Sequence, residues 1–159
     1  MSRLILEGKN IRFEELRCEE QELTFNTLCQ KLKECIQIEA FNQDTLKTLN
    51  LYNSTIGYNN AAGILADKNH FPGIDIVKFG ENISVIHKRA TFDHISILEV
   101  YEKTAEVFRD YYEYEEIQGT DRKRIEKIPE AAFREAIANA LIHRLWKAFH
   151  NQCYAKLIV

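Results

Sequence analysis

Three polar residues near the C-terminus, Glu135, Asn139 and His143, follow one another at intervals of four, and Arg144 comes directly after them. Residues four apart lie on one stripe of a helix, because each such step turns the side-chain direction by only about 40°. A carboxylate, an amide and an imidazole on one stripe can share hydrogen bonds or a bound ion. This stripe is therefore the candidate functional site. The alternative is that the amide and imidazole cap neighbouring backbone while the carboxylate faces solvent.

The residues around this stripe predict the helix that would position it. Pro129 suits the first turn of a helix, and Glu130 adds an acid at the positive end of the helix dipole. Apolar residues then recur with helical spacing: Ala132, Phe133, Ala136, Ile137, Ala140 and Leu141. We predict a helix over 130–145 with a broad apolar face. The polar stripe would run along the edge of that face and be half-buried.

The stretch from Ile128 to Arg144 resembles the Glu-Ala-Leu-x-Asn-Ala-x-x-His-Arg signature of a group of bacterial and archaeal predicted transcriptional regulators. Members of this family are described as RecG-like helicase C-terminal or Schlafen/AlbA-type divergent ATPase proteins. The segments Tyr58–Leu65 and Phe92–Leu98 resemble further parts of the same family. The resemblance covers roughly residues 20–145.

The resemblance implies a partial ATPase module of the GHKL (histidine-kinase) type. Glu135 would be the catalytic residue that orients or deprotonates the attacking water, and Asn139 would bind Mg²⁺. Asn139, His143 and Arg144 would contact the nucleotide. In the full-length family protein the cofactors would be ATP and Mg²⁺, and DNA would be contacted through an AlbA-type domain outside this chain.

The pattern of glycines departs from that family. GHKL enzymes have glycine-rich boxes after this helix, where bare backbone approaches the phosphates. All six glycines here precede the helix, and Leu145-Trp146 stands where the family commonly has an acid and a tyrosine. We therefore expect a piece of a longer protein that binds no cofactor by itself and does not turn over ATP.

The composition places the chain in a broad class. With 159 residues, 45% hydrophobic and 28% charged, it suits one globular domain, and its net charge of −3 argues against a mainly electrostatic nucleic-acid binder. The four cysteines lack zinc-site spacing, which predicts reduced thiols. No run is long and apolar enough for a signal peptide or membrane span, so we predict a cytoplasmic protein without membrane contact.

Hydrophobic periodicity predicts an α/β (α+β) fold, a small mixed sheet with about four helices. The helices are expected near 24–37, 57–67, 96–114 and 130–145, and strands at 74–79, 83–91 and 153–159, with another near the N-terminus. We expect a single domain over 1–159, helical at 20–68, strand and helix at 74–115, then the helix at 128–145 and the terminal strand. The successive short helices also suggest a helix-turn-helix, but the third one offers no basic residue before Lys68.

Two local patterns concern charge and pairing. The basic run from Asp121 to Arg124 predicts a charged turn that balances nearby acids, and the alternative is a contact with phosphate. A strand is expected from Arg124 to Ile128. The apolar ending Leu157-Ile158-Val159 predicts either a truncated sheet or a homodimer formed through this strand.

Two functions follow from the sequence. The first is a non-catalytic regulatory or scaffolding domain of a predicted transcriptional regulator. The alternative is a nucleotide-binding GHKL-like ATPase module that is incomplete in this chain.

Overall fold

The computed structural model describes residues 12–118, 121–126, 128–142 and 155–158. Its α-helices are α1 (Asn26–Ile36), α2 (Gln43–Thr48), α3 (Asn60–Leu65), α4 (Ile97–Tyr112) and α5 (Glu130–Ile142). Its strands are β1 (Tyr52–Asn53), β2 (Gly57–Tyr58), β3 (Ile74–Phe79), β4 (Ile86–Phe92), β5 (Glu113–Gln118), β6 (Asp121–Glu126) and β7 (Ala155–Ile158). The predicted mixed α/β class is confirmed.

The described residues group into two compact units. The first contains the chain up to Phe71 together with His94–Leu98, and the second contains Pro72–Asp93 together with the chain from Glu99 onwards. The first unit includes α1, α2, α3 and the β1–β2 pair, and the second includes the larger sheet and α5. The expected single domain over 1–159 stays a prediction.

The core of the first unit is an apolar cluster, because α1, α2 and α3 each bury one side. The buried members are Phe25, Leu28, Leu46, Leu51, Ala62 and Ala66. Asn59 caps α3, since its side-chain oxygen accepts the backbone N–H of Ala62 at 3.0 Å. Because Gly57 and Tyr58 pair with β1, α3 begins at Asn60 and not at 57 as predicted.

The second unit contains a three-stranded sheet in the order β4-β3-β7. The middle strand β3 is antiparallel to β4 and parallel to β7, with Ile74 opposite Ala155 and Val77 opposite Ile158. The four residues from Ile74 to Val77 are buried, as expected for a central strand. The predicted terminal strand at 153–159 is confirmed over Ala155–Ile158, and its partner within the chain is β3.

Two segments differ from the predictions. Strand β4 starts at Ile86 and not at 83, because the preceding residues form a turn in which Gly80 N–H donates to the Val85 carbonyl at 2.7 Å. The chain after α4 forms an antiparallel hairpin, so the predicted charged turn at 121–124 is the strand β6. The backbone register of this hairpin runs from Glu113 opposite Glu126 to Gln118 opposite Asp121.

Candidate functional site

The helix predicted to carry the site is α5, and it begins at Glu130, directly after Pro129. The carbonyl of Pro129 accepts the first helical hydrogen bonds, from the backbone N–H groups of Ala132 and Phe133. The described helix ends at Ile142, so His143 and Arg144 lie outside the described residues.

The two described residues of the polar stripe do not lie where the sequence predicted them. Glu135 and Asn139 are both exposed, not half-buried. The buried side of α5 is a single stripe of Phe133, Ile137 and Leu141, with exposures of 9%, 1% and 3%.

Side-chain size explains this difference. The large residues four apart face the core and stack there, as the ring of Phe133 does on that of Phe108 in α4, with centroids 4.0 Å apart. Ala132, Ala136 and Ala140 are exposed. Burying the small side chain of an alanine gains little free energy. These alanines therefore recur at helical spacing without lying on the buried side of α5.

Ion pairs join the first turn of α5 to α4. The carboxylate of Glu130 accepts two hydrogen bonds from the guanidinium of Arg109, at 3.2 and 2.9 Å, and one from Arg134 at 3.2 Å. Arg134 also donates to the hydroxyl of Tyr101 at 3.1 Å, and its guanidinium carbon lies 5.2 Å from the centre of that ring. This ionic cluster of Tyr101, Arg109, Glu130 and Arg134 orients the helix that carries Glu135 and Asn139.

The charges in the ionic cluster reinforce each other. The hydrogen bond from Arg109 is the main cause that lowers the pKa of Glu130, and Arg134 adds to it against the opposing effect of burial. The hydrogen bond to Tyr101, followed by that to Glu130, raises the pKa of Arg134. Both groups therefore stay charged at neutral pH, and neither is poised to exchange a proton there.

Sequence reasoning missed a buried carboxylate in the sheet. Asp75 in β3 is 8% exposed and forms a two-pronged ion pair with Arg89 in β4, with both N–O distances 2.9 Å. The hydroxyl of Thr91 donates to the same carboxylate at 3.0 Å. The signal available was an acid within a β-rich run. The strand register sets Thr91 opposite Asp75 and Arg89 opposite Val77, so the ion pair with Arg89 is diagonal across the two strands and could not be read from the sequence. With three such hydrogen bonds Asp75 is stabilised as a structural ion pair.

The described residues offer limited chemistry around α5. Nowhere in the described part of the chain do three histidine, cysteine or acidic side chains converge as they would to bind a metal ion. Glu135 and Asn139 could give a metal one carboxylate and one amide oxygen, and Mg²⁺ requires six oxygen ligands, some of them water or phosphate.

No described helix has the length and apolar character needed to cross a membrane.

The comparisons with known proteins define the class of this protein as a mixed α/β fold. No family model matches the chain, and no curated protein matches it. Among solved structures, the chain is similar to the DIP2311 protein from Corynebacterium diphtheriae, with a TM-score of 0.67 and 17% sequence identity. The likeness covers 91% of this chain but 30% of that protein, so this chain spans less than a third of its length. At this identity the likeness concerns the fold alone.

Proposed function

We propose that this chain is a regulatory or scaffolding domain of a bacterial or archaeal transcriptional regulator and is not a catalyst by itself. The observation that supports this most directly is the exposure of Glu135 and Asn139 on α5. Among the described residues, neither side chain has a hydrogen-bond partner that would orient it for catalysis. A catalytic carboxylate needs such positioning, whereas an exposed helix face suits contact with another domain.

The chemistry of the neighbouring groups supports the same proposal. The charged side chains closest in sequence, Glu130 and Arg134, are engaged with Arg109 and Tyr101. The six glycines of the sequence all precede α5, whereas a phosphate-binding loop of the GHKL type would follow it.

The second candidate is a nucleotide-binding module of the GHKL type. One observation favours it: Glu135 and Asn139 lie four residues apart on an exposed part of α5, where a ligand can reach both. In this proposal Glu135 would orient the attacking water and Asn139 would bind Mg²⁺, with His143 and Arg144 as further contacts. The phosphate-binding glycines would have to come from another polypeptide segment.

Further parts of the proposal concern partners and location. Contact with DNA would be made by other domains of the regulator, and the protein would act in the cytoplasm. A homodimer would form through β7, which has β3 on one side in the described sheet. Its other side would accept a strand from a second copy.

Phosphate release and thermal unfolding test the proposal together. Purified protein with Mg²⁺ and ATP is compared with its Glu135→Ala and Asn139→Asp variants. We expect no phosphate release above that of Glu135→Ala, and no shift of the melting temperature when Mg²⁺ and ATP are added. Release above the Glu135→Ala control, or a ligand-dependent shift lost in Asn139→Asp, would establish the nucleotide-binding alternative.

A further inference from the structure

Strands β3 and β4 place two lysines directly opposite each other. Lys78 and Lys88 are partners in the antiparallel register, so their side chains lie on the same face of the sheet. Like charges at directly opposed positions destabilise a strand pair. An acid at either position would remove this cost, yet both positions carry an ammonium group.

Both lysines converge on the end of α4. The Nζ atom of Lys78 lies 5.4 Å from the centre of the Tyr111 ring, and that of Lys88 lies 5.1 Å from the same centre. Lys78 also lies 5.6 Å from the Tyr112 ring and donates a hydrogen bond to the Tyr111 carbonyl at 3.0 Å. The ring faces and the helix C-terminus carry partial negative charge, which partly offsets the repulsion between the ammonium groups.

Neither of these lysines forms an ion pair with a carboxylate among the described residues. The ion pairs described in this unit involve other cations: Arg89 with Asp75, Lys103 with Glu99, and Arg109 and Arg134 with Glu130. Lys78 is partly exposed and Lys88 is exposed. An ammonium has three donors, so Lys78 retains two after its bond to the Tyr111 carbonyl, and solvent can reach both lysines.

We propose that Lys78 and Lys88, beside the ring of Tyr111, bind a phosphate group. A phosphate dianion placed between the two ammonium groups would accept a charge-assisted hydrogen bond from each and replace their repulsion by attraction. Burial, followed by the charge of Asp110, raises the pKa of Tyr111. The phenol therefore stays neutral near neutral pH and adds no negative charge that would repel the ligand.

The phosphate could belong to a small phosphorylated molecule or to the backbone of a nucleic acid, because both present the same dense negative charge to a lysine pair. This site is independent of α5 and of the function proposed above. Its test therefore does not depend on whether Glu135 and Asn139 bind anything.

Titration with two probes tests the site. Tripolyphosphate binding is measured by calorimetry at low salt, and binding of a fluorescent single-stranded oligonucleotide by anisotropy. We compare the parent chain with Lys78→Gln and Lys88→Gln. Lys103→Gln is the matched control, because Lys103 is paired with Glu99 at 2.9 Å.

We expect each of Lys78→Gln and Lys88→Gln to weaken tripolyphosphate binding about tenfold, the effect of one lost charge-assisted hydrogen bond, and Lys103→Gln to leave it unchanged. Oligonucleotide binding that is weakened by the same two substitutions would identify the ligand as a nucleic-acid phosphate. If the oligonucleotide does not bind, the ligand is a small phosphorylated molecule. The proposal is overturned if the parent chain does not bind tripolyphosphate, or if Lys88→Gln binds it as the parent does. Circular dichroism checks that each variant is folded. If Lys78→Gln is unfolded, the test rests on Lys88→Gln, because Lys88 is exposed.

Discussion

The carboxylate of Asp67 accepts a hydrogen bond from the backbone N–H of Thr27 at 2.9 Å, although the two residues lie 40 positions apart. The same carboxylate accepts the backbone N–H of Asn26 at 2.8 Å. These are the first residues of α1, whose own N-cap residue, Phe25, makes no side-chain cap. Asp67 therefore caps α1 from a distant part of the chain and joins the end of the α3 segment to it.

Replacing this cap should destabilise the protein. Asp67→Asn keeps one acceptor oxygen but loses the charge, and we expect it to lower the free energy of unfolding by about 1 kcal/mol. Urea unfolding measures the change. Asp44→Asn is the control, because the carboxylate of Asp44 is exposed and forms an ion pair with Lys47 three residues further along α2. An equal loss in both variants would contradict the capping role.

The same cap predicts a pH dependence. Burial acts to raise the pKa of Asp67, but the hydrogen bonds from Thr27 and Asn26 outweigh it and lower the pKa. A lowered folded pKa adds stability above the unfolded pKa of about 3.9, and this stability is lost as pH falls through the folded value. The stability difference between the parent and Asp67→Asn should therefore shrink below about pH 4. A difference that persists unchanged into stronger acid would exclude this linkage.

The ionic cluster at the start of α5 should also contribute to thermal stability. Arg109→Gln removes both hydrogen bonds to Glu130 and should lower the melting temperature more than Lys47→Gln, which breaks an exposed pair. Because the pKa of Glu130 is lowered, mainly by Arg109, this contribution is present above the unfolded pKa of about 4.3. It should disappear as pH falls through the folded pKa of Glu130. Melting curves of the parent and both variants, recorded from neutral pH down through the protonation of Glu130, test which variant melts lower and whether the difference depends on pH.

Thr104 offers a stabilising substitution. Its hydroxyl is fully buried in α4 and has no hydrogen-bond partner among the described residues. Thr104→Val preserves the shape of the side chain and removes the buried hydroxyl, so it should raise the free energy of unfolding by about 1 kcal/mol. Thr104→Ser keeps the hydroxyl and loses a methyl group, and should lower it by about 1 kcal/mol. Destabilisation by valine would mean that the hydroxyl does have a partner.

Gly57 occupies a position that disfavours any other residue. Its φ angle is +78°, and an added Cβ would collide with the side-chain oxygen of Gln21. That oxygen accepts the backbone N–H of Tyr58 at 2.9 Å, so the amide of Gln21 cannot move without losing this bond. Gly57→Ala should therefore lower the free energy of unfolding by more than about 1 kcal/mol. In the double variant Gly57→Ala/Gln21→Ala the collision is absent. It should therefore regain only the part of the free energy of unfolding that the collision costs, and a double-mutant cycle measures that part.

Asn139 provides the stability test at the candidate site. Because it is exposed, Asn139→Ala should change the free energy of unfolding by less than about 0.5 kcal/mol. Ile137→Ala, one turn away on the buried stripe, should lower it by about 2–5 kcal/mol. Chemical unfolding of both variants tests the exposure of this face. A loss above about 1 kcal/mol for Asn139→Ala would show that the amide has a buried partner.

The sequence by itself determined the elements with long, regular apolar periodicity. The buried positions of α4 and α5 recur every three to five residues, and apolar residues recur at helical spacing in the sequence of α1, so the starts of these helices were predicted within a few residues. The strand β3 was predicted because β-branched residues recur in it. Such patterns are local, because each element must bury one side whatever its neighbour is. Helical spacing is local in the same sense, so the interval of four residues placed Glu135 and Asn139 on one stripe of the predicted helix.

Only the tertiary structure decided which distant residues cap these helices and pair with the side chains of these strands. The cap on α1 comes from Asp67 and the partner of Asp75 is Arg89, both remote in sequence and chosen by the packing of the chain. The exposure of Asn139 was likewise undetermined, since periodicity does not say which apolar residues the core accepts. There the large side chains of Phe133 and Ile137 gain most from burial and set the rotation of α5, which leaves Glu135 and Asn139 exposed.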